Sequence, residues 1–134
     1  MSDLPLKALG LGVACEPGTF VAAPAGVLVV EVNTVERRRG VTWVGVDAGF
    51  ALNPGPALYQ LPIVVVPLQA PYAPPTCNYT IVGPINEATD VWVRNYPLPQ
   101  LHEGDLLAFL PAGAYARSMA SDHCLRGMAQ EVVV

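Results

Sequence analysis

The chain has 134 residues, enough for one domain with a buried core. Apolar residues make up 52% and charged residues 13%, the latter about half the usual share, which excludes disorder as the main state. The 14 Pro and 12 Gly argue against a helical bundle and for strands separated by turns, and a net charge of −4 with seven Lys and Arg spread along the chain gives no basic footprint for nucleic acid.

The N-terminus, Met-Ser-Asp-Leu-Pro-Leu-Lys, lacks the basic and apolar regions of a signal peptide. Leu4 to Leu9 reads as a remnant of helix and Gly12 to Cys15 as a short strand. Val27 to Val35 is rich in β-branched residues and ends in Glu36-Arg37-Arg38-Arg39-Gly40, after which Val41 to Val46 resumes. Two such runs around a charged, glycine-bearing turn predict a hairpin. Asn53-Pro54-Gly55-Pro56 reads as a loop, Leu61 to Leu68 as a third strand, Asn78 to Val82 as a fourth and Val91 to Val93 as a short fifth. Pro97 to Pro99 is expected to be extended. His102 to Asp105 is a turn feeding a buried strand at Leu106 to Leu110, Ala112 to Met119 carries a helical turn, and Gln130 to Val134 reads as a last strand. Short strands with turns every 8–12 residues predict an all-β fold, a closed barrel or sandwich. The longest apolar runs, such as Ile63 to Val66, are far too short to span a bilayer.

The bare chemistry offers no nucleophile–base pair, no phosphate loop and no metal-ligand spacing. Cys15, Cys77 and Cys124 are an odd, widely spaced set without C-x-x-C, which suits free thiols in a reducing cytoplasm. His102 lies in a polar turn and reads as a solvated surface histidine; His123 stands between Asp122 and Cys124. Lys7 is the one lysine and falls in an N-terminal segment poorly suited to desolvating an amine. Two segments are polar or small beyond what a scaffold needs. Gly83 to Asp90 sets Asn86, Glu87 and Asp90 after a buried strand, and Pro111 to Met119 sets small residues around Tyr115. Each reads either as a plain turn or as part of a ligand site.

Together these segments resemble a known family. Cys15-Glu16-Pro17-Gly18-Thr19, followed by Val21-Ala22 and Ala25-Gly26, is similar to the E-P-G-R…V-A-x-A-G signature of alanine-racemase-fold, pyridoxal-phosphate-dependent decarboxylases. Val46-Asp47-Ala48-Gly49 with Pro56-Ala57-Leu58-Tyr59 resembles the D-A-G…R-P-A-L-Y stretch of diaminopimelate decarboxylase, and Gly83-Pro84 with Glu87 and Asp90 its G-P-x-C-E-S-x-D loop. Glu103-Gly104-Asp105, then Gly113-Ala114-Tyr115 with Ser118-Met119, resemble its E-G-D…G-A-Y…S-M element; Arg126 and Glu131-Val132 resemble its closing strand.

The resemblance implies a Greek-key-like β-barrel over residues 21–134, preceded in residues 1–20 by the end of a (β/α)8 barrel. It implies the C-terminal domain or subunit of a diaminopimelate/ornithine-type amino-acid decarboxylase. Such a domain is inactive alone and completes a site with a barrel carrying the Schiff-base lysine. Pyridoxal 5'-phosphate, a small amino-acid substrate, a partner barrel and a homodimer follow from it; the other reading is a non-catalytic binding or dimerisation module that inherited the fold. By the resemblance, Glu16 faces the coenzyme's pyridine nitrogen, Gly18 and Tyr115 belong to the coenzyme site with Tyr115 at the phosphate, and Glu87 and Asp90 belong to substrate binding. Asn86 stands where the family has a cysteine that acts as proton donor across a dimer interface, and His123 where it has an aromatic residue, a position from which it would move protons. Thr19 and Gly55 replace two arginines, the first a phosphate contact and the second a clamp for a substrate carboxylate.

Overall fold

The run Leu28-Val29-Val30 favours extended backbone because its two valines are branched at Cβ, and it opens β1 (Leu28–Arg38), which folds back antiparallel onto β2 (Val41–Val46). The computed structural model describes residues 9–12 and 14–134. The turn is only Arg39-Gly40, both at positive φ (52° and 82°), the conformation whose twist matches the flanking strands. The charged cluster expected to form the turn thus lies mostly within β1, where Glu36, Arg37 and Arg38 pair with Trp43, Thr42 and Val41.

β3 (Val64–Pro67), β4 (Cys77–Val82), β5 (Val91–Leu98) and β6 (Leu106–Leu110) complete a six-stranded sheet in the order β3-β6-β1-β2-β4-β5. β2 and β4 run parallel; the other pairs are antiparallel. The two edges approach each other, and the Val65 N–H of β3 donates to Tyr96 Oη of β5 at 3.2 Å. The sheet is a nearly closed barrel, as the all-β expectation required. Its interior holds Val30, Val32, Val44, Val46, Ile81, Leu107 and Phe109, all fully buried; each such side chain contributes roughly 1.5–3 kcal/mol by leaving water. Trp92 meets Phe109 edge-on at 4.7 Å, and its indole N–H donates to Ala48 O at 2.8 Å.

Among the described residues three short α-helices decorate the barrel, α1 (Gly18–Ala22), α2 (Gly55–Tyr59) and α3 (Ala116–Met119), with 3-10 turns at Ala23–Ala25 and His123–Leu125. None of the helices among the described residues is long and apolar enough to cross a membrane. α2 was expected to be loop; a proline in the first turn is compatible with helix because the N–H groups there have no intrahelical partner. β5 continues through Pro97, which an edge strand tolerates, and β3 is shorter than the expected Leu61 to Leu68. Gln130 to Val134, expected as a last strand, forms none: Val132, Val133 and Val134 are exposed and have no ladder partner among the described residues. Of the expected strand at Gly12 to Cys15, the described residues carry no ladder and Val13 lies outside them. Lys7, and the expected helix remnant apart from Leu9, also lie outside the described residues.

Tyr79 shows how a polar atom is accommodated at the core. It is buried, and its Oη accepts the Leu101 N–H at 3.1 Å. Burial, the leading cause, pushes the phenol above its ordinary value, partly offset by that backbone hydrogen bond. The associated stabilisation is therefore complete below about pH 10, the usual value for an unfolded tyrosine, and is lost as pH rises through the higher folded value. Tyr79→Phe leaves Leu101 N–H without its acceptor and is expected to cost about 1–3 kcal/mol, read as a lower urea midpoint with an unchanged slope.

Candidate functional site

One end of the barrel gathers three connecting segments: residues 47–59 after β2, residues 83–90 after β4, and residues 111–125 after β6. Asp90 fastens the first two. Its Oδ1 accepts the Phe50 N–H at 2.7 Å and its Oδ2 accepts the Ile85 N–H at 2.7 Å. Gly83 N–H donates to Asp90 O at 3.0 Å. The carboxylate is buried against bare backbone at Gly49 and Gly83, where an added Cβ would collide with it. The third segment is joined to the first by the Ser121 N–H, which donates to Ala51 O at 2.9 Å.

This framework divides the two carboxylates that the sequence had grouped as substrate contacts. Asp90 has both oxygens engaged by backbone amides beneath the surface. Glu87 is exposed, as is Asn86 beside it. His123 is brought to Glu87 from the far end of the chain: its Nε2 lies 3.9 Å from Glu87 Oε1, with the side chains 41% and 53% exposed. The imidazole also tilts over Phe50, with ring centroids 5.2 Å apart at 54°. Phe50 carried no signal in the sequence; its position is set by its own N–H, held by Asp90.

A second cluster lies across residues 53–62. A groove of about 370 Å³ is lined by Thr19, Asn53, Gly55, Tyr59, Tyr115 and Met119, among others. Gly18 borders Tyr115, since a Cβ built on it would stand 3.7 Å from Tyr115 Oη. Glu16 is exposed and sits on the same tight turn, its carbonyl accepting the Gly18 N–H at 2.9 Å. Tyr115 adopts a left-handed backbone (φ 64°) at the start of α3 and is half exposed. Gly18, Thr19 and Tyr115 therefore meet, although they come from opposite ends of the sequence. At Gly55 an added Cβ would lie 3.2 Å from Leu61 Cδ1 and 3.3 Å from Asn53 Oδ1. Tyr59, Leu61 and Met119 had not been singled out as lining; the exposed face of α2 could have signalled the first only if the helix had been foreseen.

The comparisons with known proteins bear on the family and the fold. Residues 19–113 match the family model of the pyridoxal-dependent decarboxylase C-terminal sheet domain. The chain is 34% identical over 132 residues to a diaminopimelate decarboxylase of Methanothermobacter thermautotrophicus, covering 96% of this chain and 31% of that protein. It is 39% identical over 119 residues to the one of Archaeoglobus fulgidus, covering 89% and 28%. Among solved structures it superposes on the Helicobacter pylori diaminopimelate decarboxylase complexed with L-lysine, with a TM-score of 0.75, 32% identity, and coverage of 90% of this chain and 29% of that one. The chain thus spans about three tenths of the length of the curated relatives it matches. Motif order, barrel topology and similarity along most of its length lead to one conclusion: the chain belongs to the pyridoxal-dependent decarboxylases, as a C-terminal sheet domain of that family.

Proposed function

We propose that this domain supplies part of the active-site wall of an amino-acid decarboxylase of the diaminopimelate/ornithine type. The site is completed by a (β/α)8 barrel that bears the coenzyme lysine, and residues 1–20 are read as the end of that barrel. The observation that carries this reading is the groove lined by Thr19 and Tyr115, with Tyr115 Oη beside the bare backbone of Gly18. Neutral hydroxyl donors next to unobstructed backbone fit a phosphate ester, so the residues present suit one side of pyridoxal 5'-phosphate. Bound there, the coenzyme would supply the electron sink that decarboxylation needs.

The chain's own residues have the following parts. Tyr115 Oη and Thr19 Oγ1 would donate hydrogen bonds to the phosphate, and the Glu16 carboxylate would accept one from the ring N–H and so keep that nitrogen protonated. Glu87 attracts a cationic group on the substrate. Asn86 presents an amide, which hydrogen-bonds but has no acidic proton near neutrality. Asp90 holds the loop that carries both. Exposed Phe20, Val21 and Leu125 favour burial against a partner, either the barrel or a second copy in a homodimer, in a reducing cytoplasm that suits three free, exposed cysteines.

The chain, mixed with a lysine-bearing barrel and pyridoxal 5'-phosphate, is expected to release CO2 from diaminopimelate, lysine or ornithine, and to release none when either part is omitted. Tyr115→Phe should weaken coenzyme binding by about ten- to a hundredfold, one hydrogen bond to a charged group being worth roughly 1.5–3 kcal/mol. Absence of CO2 release from all three amino acids would refute the reading. A second reading, a binding module without chemistry, draws support from Gly55, whose surroundings are closed by Leu61 and Asn53. A thermal shift with amino acids or polyamines that needs neither barrel nor coenzyme would favour it.

A further inference from the structure

Glu87, His123 and Phe50 come from three different connecting segments, and hydrogen bonds of the backbone place Glu87 and Phe50. The Glu87 N–H donates to Ile85 O at 2.8 Å, the Glu87 carbonyl accepts the Asp90 N–H at 3.0 Å, and Phe50 is held through Asp90. Against that frame the imidazole tilts at 54° to the Phe50 ring, and its Nε2 lies 3.9 Å from Glu87 Oε1, beyond hydrogen-bond distance. The other ionisable groups nearby are otherwise engaged or lie on the histidine's own segment. Asp90 is sealed by two amides, Asp122 Oδ1 accepts the Gly127 N–H at 3.0 Å, and Cys124 follows His123 directly. A histidine set between an aromatic ring and a carboxylate, half open to water and next to the loop that carries Asn86, is arranged for proton transfer.

We propose that His123 is the proton donor of this site and that Glu87 is its positioning residue, an inference that rests on the decarboxylase reading above. The proton leaves His123 Nε2 and bonds to the substrate carbon that has lost CO2, using the electron pair left on that carbon. The N–H bonding pair stays on the imidazole, which becomes neutral and takes its next proton from water through its exposed edge. Glu87 Oε1 keeps Nε2 directed across the loop, and Oε2 remains open to a cationic substrate group. Asn86 completes the loop without taking part in the transfer.

The test uses the full chain, alone and assembled with the coenzyme-loaded barrel. In the chain alone, nuclear Overhauser contacts between the His123 and Phe50 rings are expected and should weaken in Glu87→Gln, while the resonances of His102, the other histidine, stay in place. In the assembly, His123→Ala should lower kcat by about 10²–10⁴-fold, the usual contribution of a positioned general acid, and added imidazole should restore part of it. Glu87→Gln should lower kcat less and should not respond to imidazole. Missing ring contacts in the wild type, or a folded His123→Ala variant with unchanged kcat, would overturn the donor role while leaving the decarboxylase reading intact. A wild-type assembly that releases no CO2 from any amino acid would overturn both.

Discussion

Asp90→Ala is expected to destabilise the domain by about 3–5 kcal/mol, because it removes two hydrogen bonds to a charged group, each contributing roughly 1.5–3 kcal/mol. Both bonds run at 2.7 Å to backbone amides, those of Phe50 and Ile85, and the side chain is 3% exposed, so water does not readily replace it. The loss is large beside a typical total of about 5–15 kcal/mol for a domain. Asp90→Asn should fall between: one oxygen still accepts, but the amide NH2 then faces an N–H donor. Asp90→Glu gives no relief, since Gly49 and Gly83 press on the carboxylate and leave no room for a further methylene. Urea unfolding measures the stability change, and native-state hydrogen exchange locates it: the Phe50 and Ile85 amides should lose protection first. If Asp90→Ala unfolds within 1 kcal/mol of the wild type, the carboxylate does not hold these loops together. The functional consequence follows from the same bonds, because Phe50 and Glu87 sit on the two loops that Asp90 joins.

The sheet was legible where side-chain branching and turn chemistry agree. β1 and β2 declare themselves by valine density and by Gly40, and β6 by the unbroken run Leu106 to Leu110. Prolines gave mixed signals. At Asn53 to Pro56 they suggested only a loop, although one in the first turn suits the start of α2. Pro97 to Pro99 read as extended, and β5, expected only over Val91 to Val93, runs on through Pro97 to Leu98 because an edge strand needs no donor there. Four of the six arginines gather around the β1–β2 hairpin, where Arg94 joins Arg37 in lining one hollow while Arg38 and Arg39 line another. At the candidate site, Glu87, His123 and Tyr115 were singled out by residue type and by the family resemblance, and the fold brings the first two within 3.9 Å of each other. Their neighbours could not be read that way. Phe50 matters because a carboxylate forty residues further along holds its amide, and that is a product of the sheet order, in which β2 lies beside β4. The division of labour between Glu87 and Asp90 was equally hidden, because it depends on which side chain points under the loop.

Gly113→Ala is expected to disturb the coenzyme side of the site as strongly as Asp90→Ala disturbs the other. Gly113 lies where the chain leaves β6 and crosses residues 22–26, so closely that an added Cβ would collide with Ala22 O and stand 2.7 Å from Gly26 N and 3.0 Å from Ala23 O. All three are backbone atoms, so no flexible side chain can yield. Either the two segments separate or the hydrogen bonds between them break: Gly113 N–H to Ala23 O at 3.0 Å and Ala112 N–H to Gly26 O at 2.9 Å. Overpacking of this kind costs about 1–3 kcal/mol, and two backbone bonds add roughly 0.5–1.5 kcal/mol each. The displaced segment carries Tyr115 two residues on, so its Oη should leave Gly18 even in molecules that stay folded. Tyr115 fluorescence quenching or ring shifts would report this, and coenzyme affinity in the assembly should fall alongside. Gly12→Ala is the control, for nothing among the described residues lies within 4 Å of its added Cβ. If Gly113→Ala and Gly12→Ala behaved alike in both stability and Tyr115 environment, the close crossing of these two segments would not be what brings Tyr115 to Gly18.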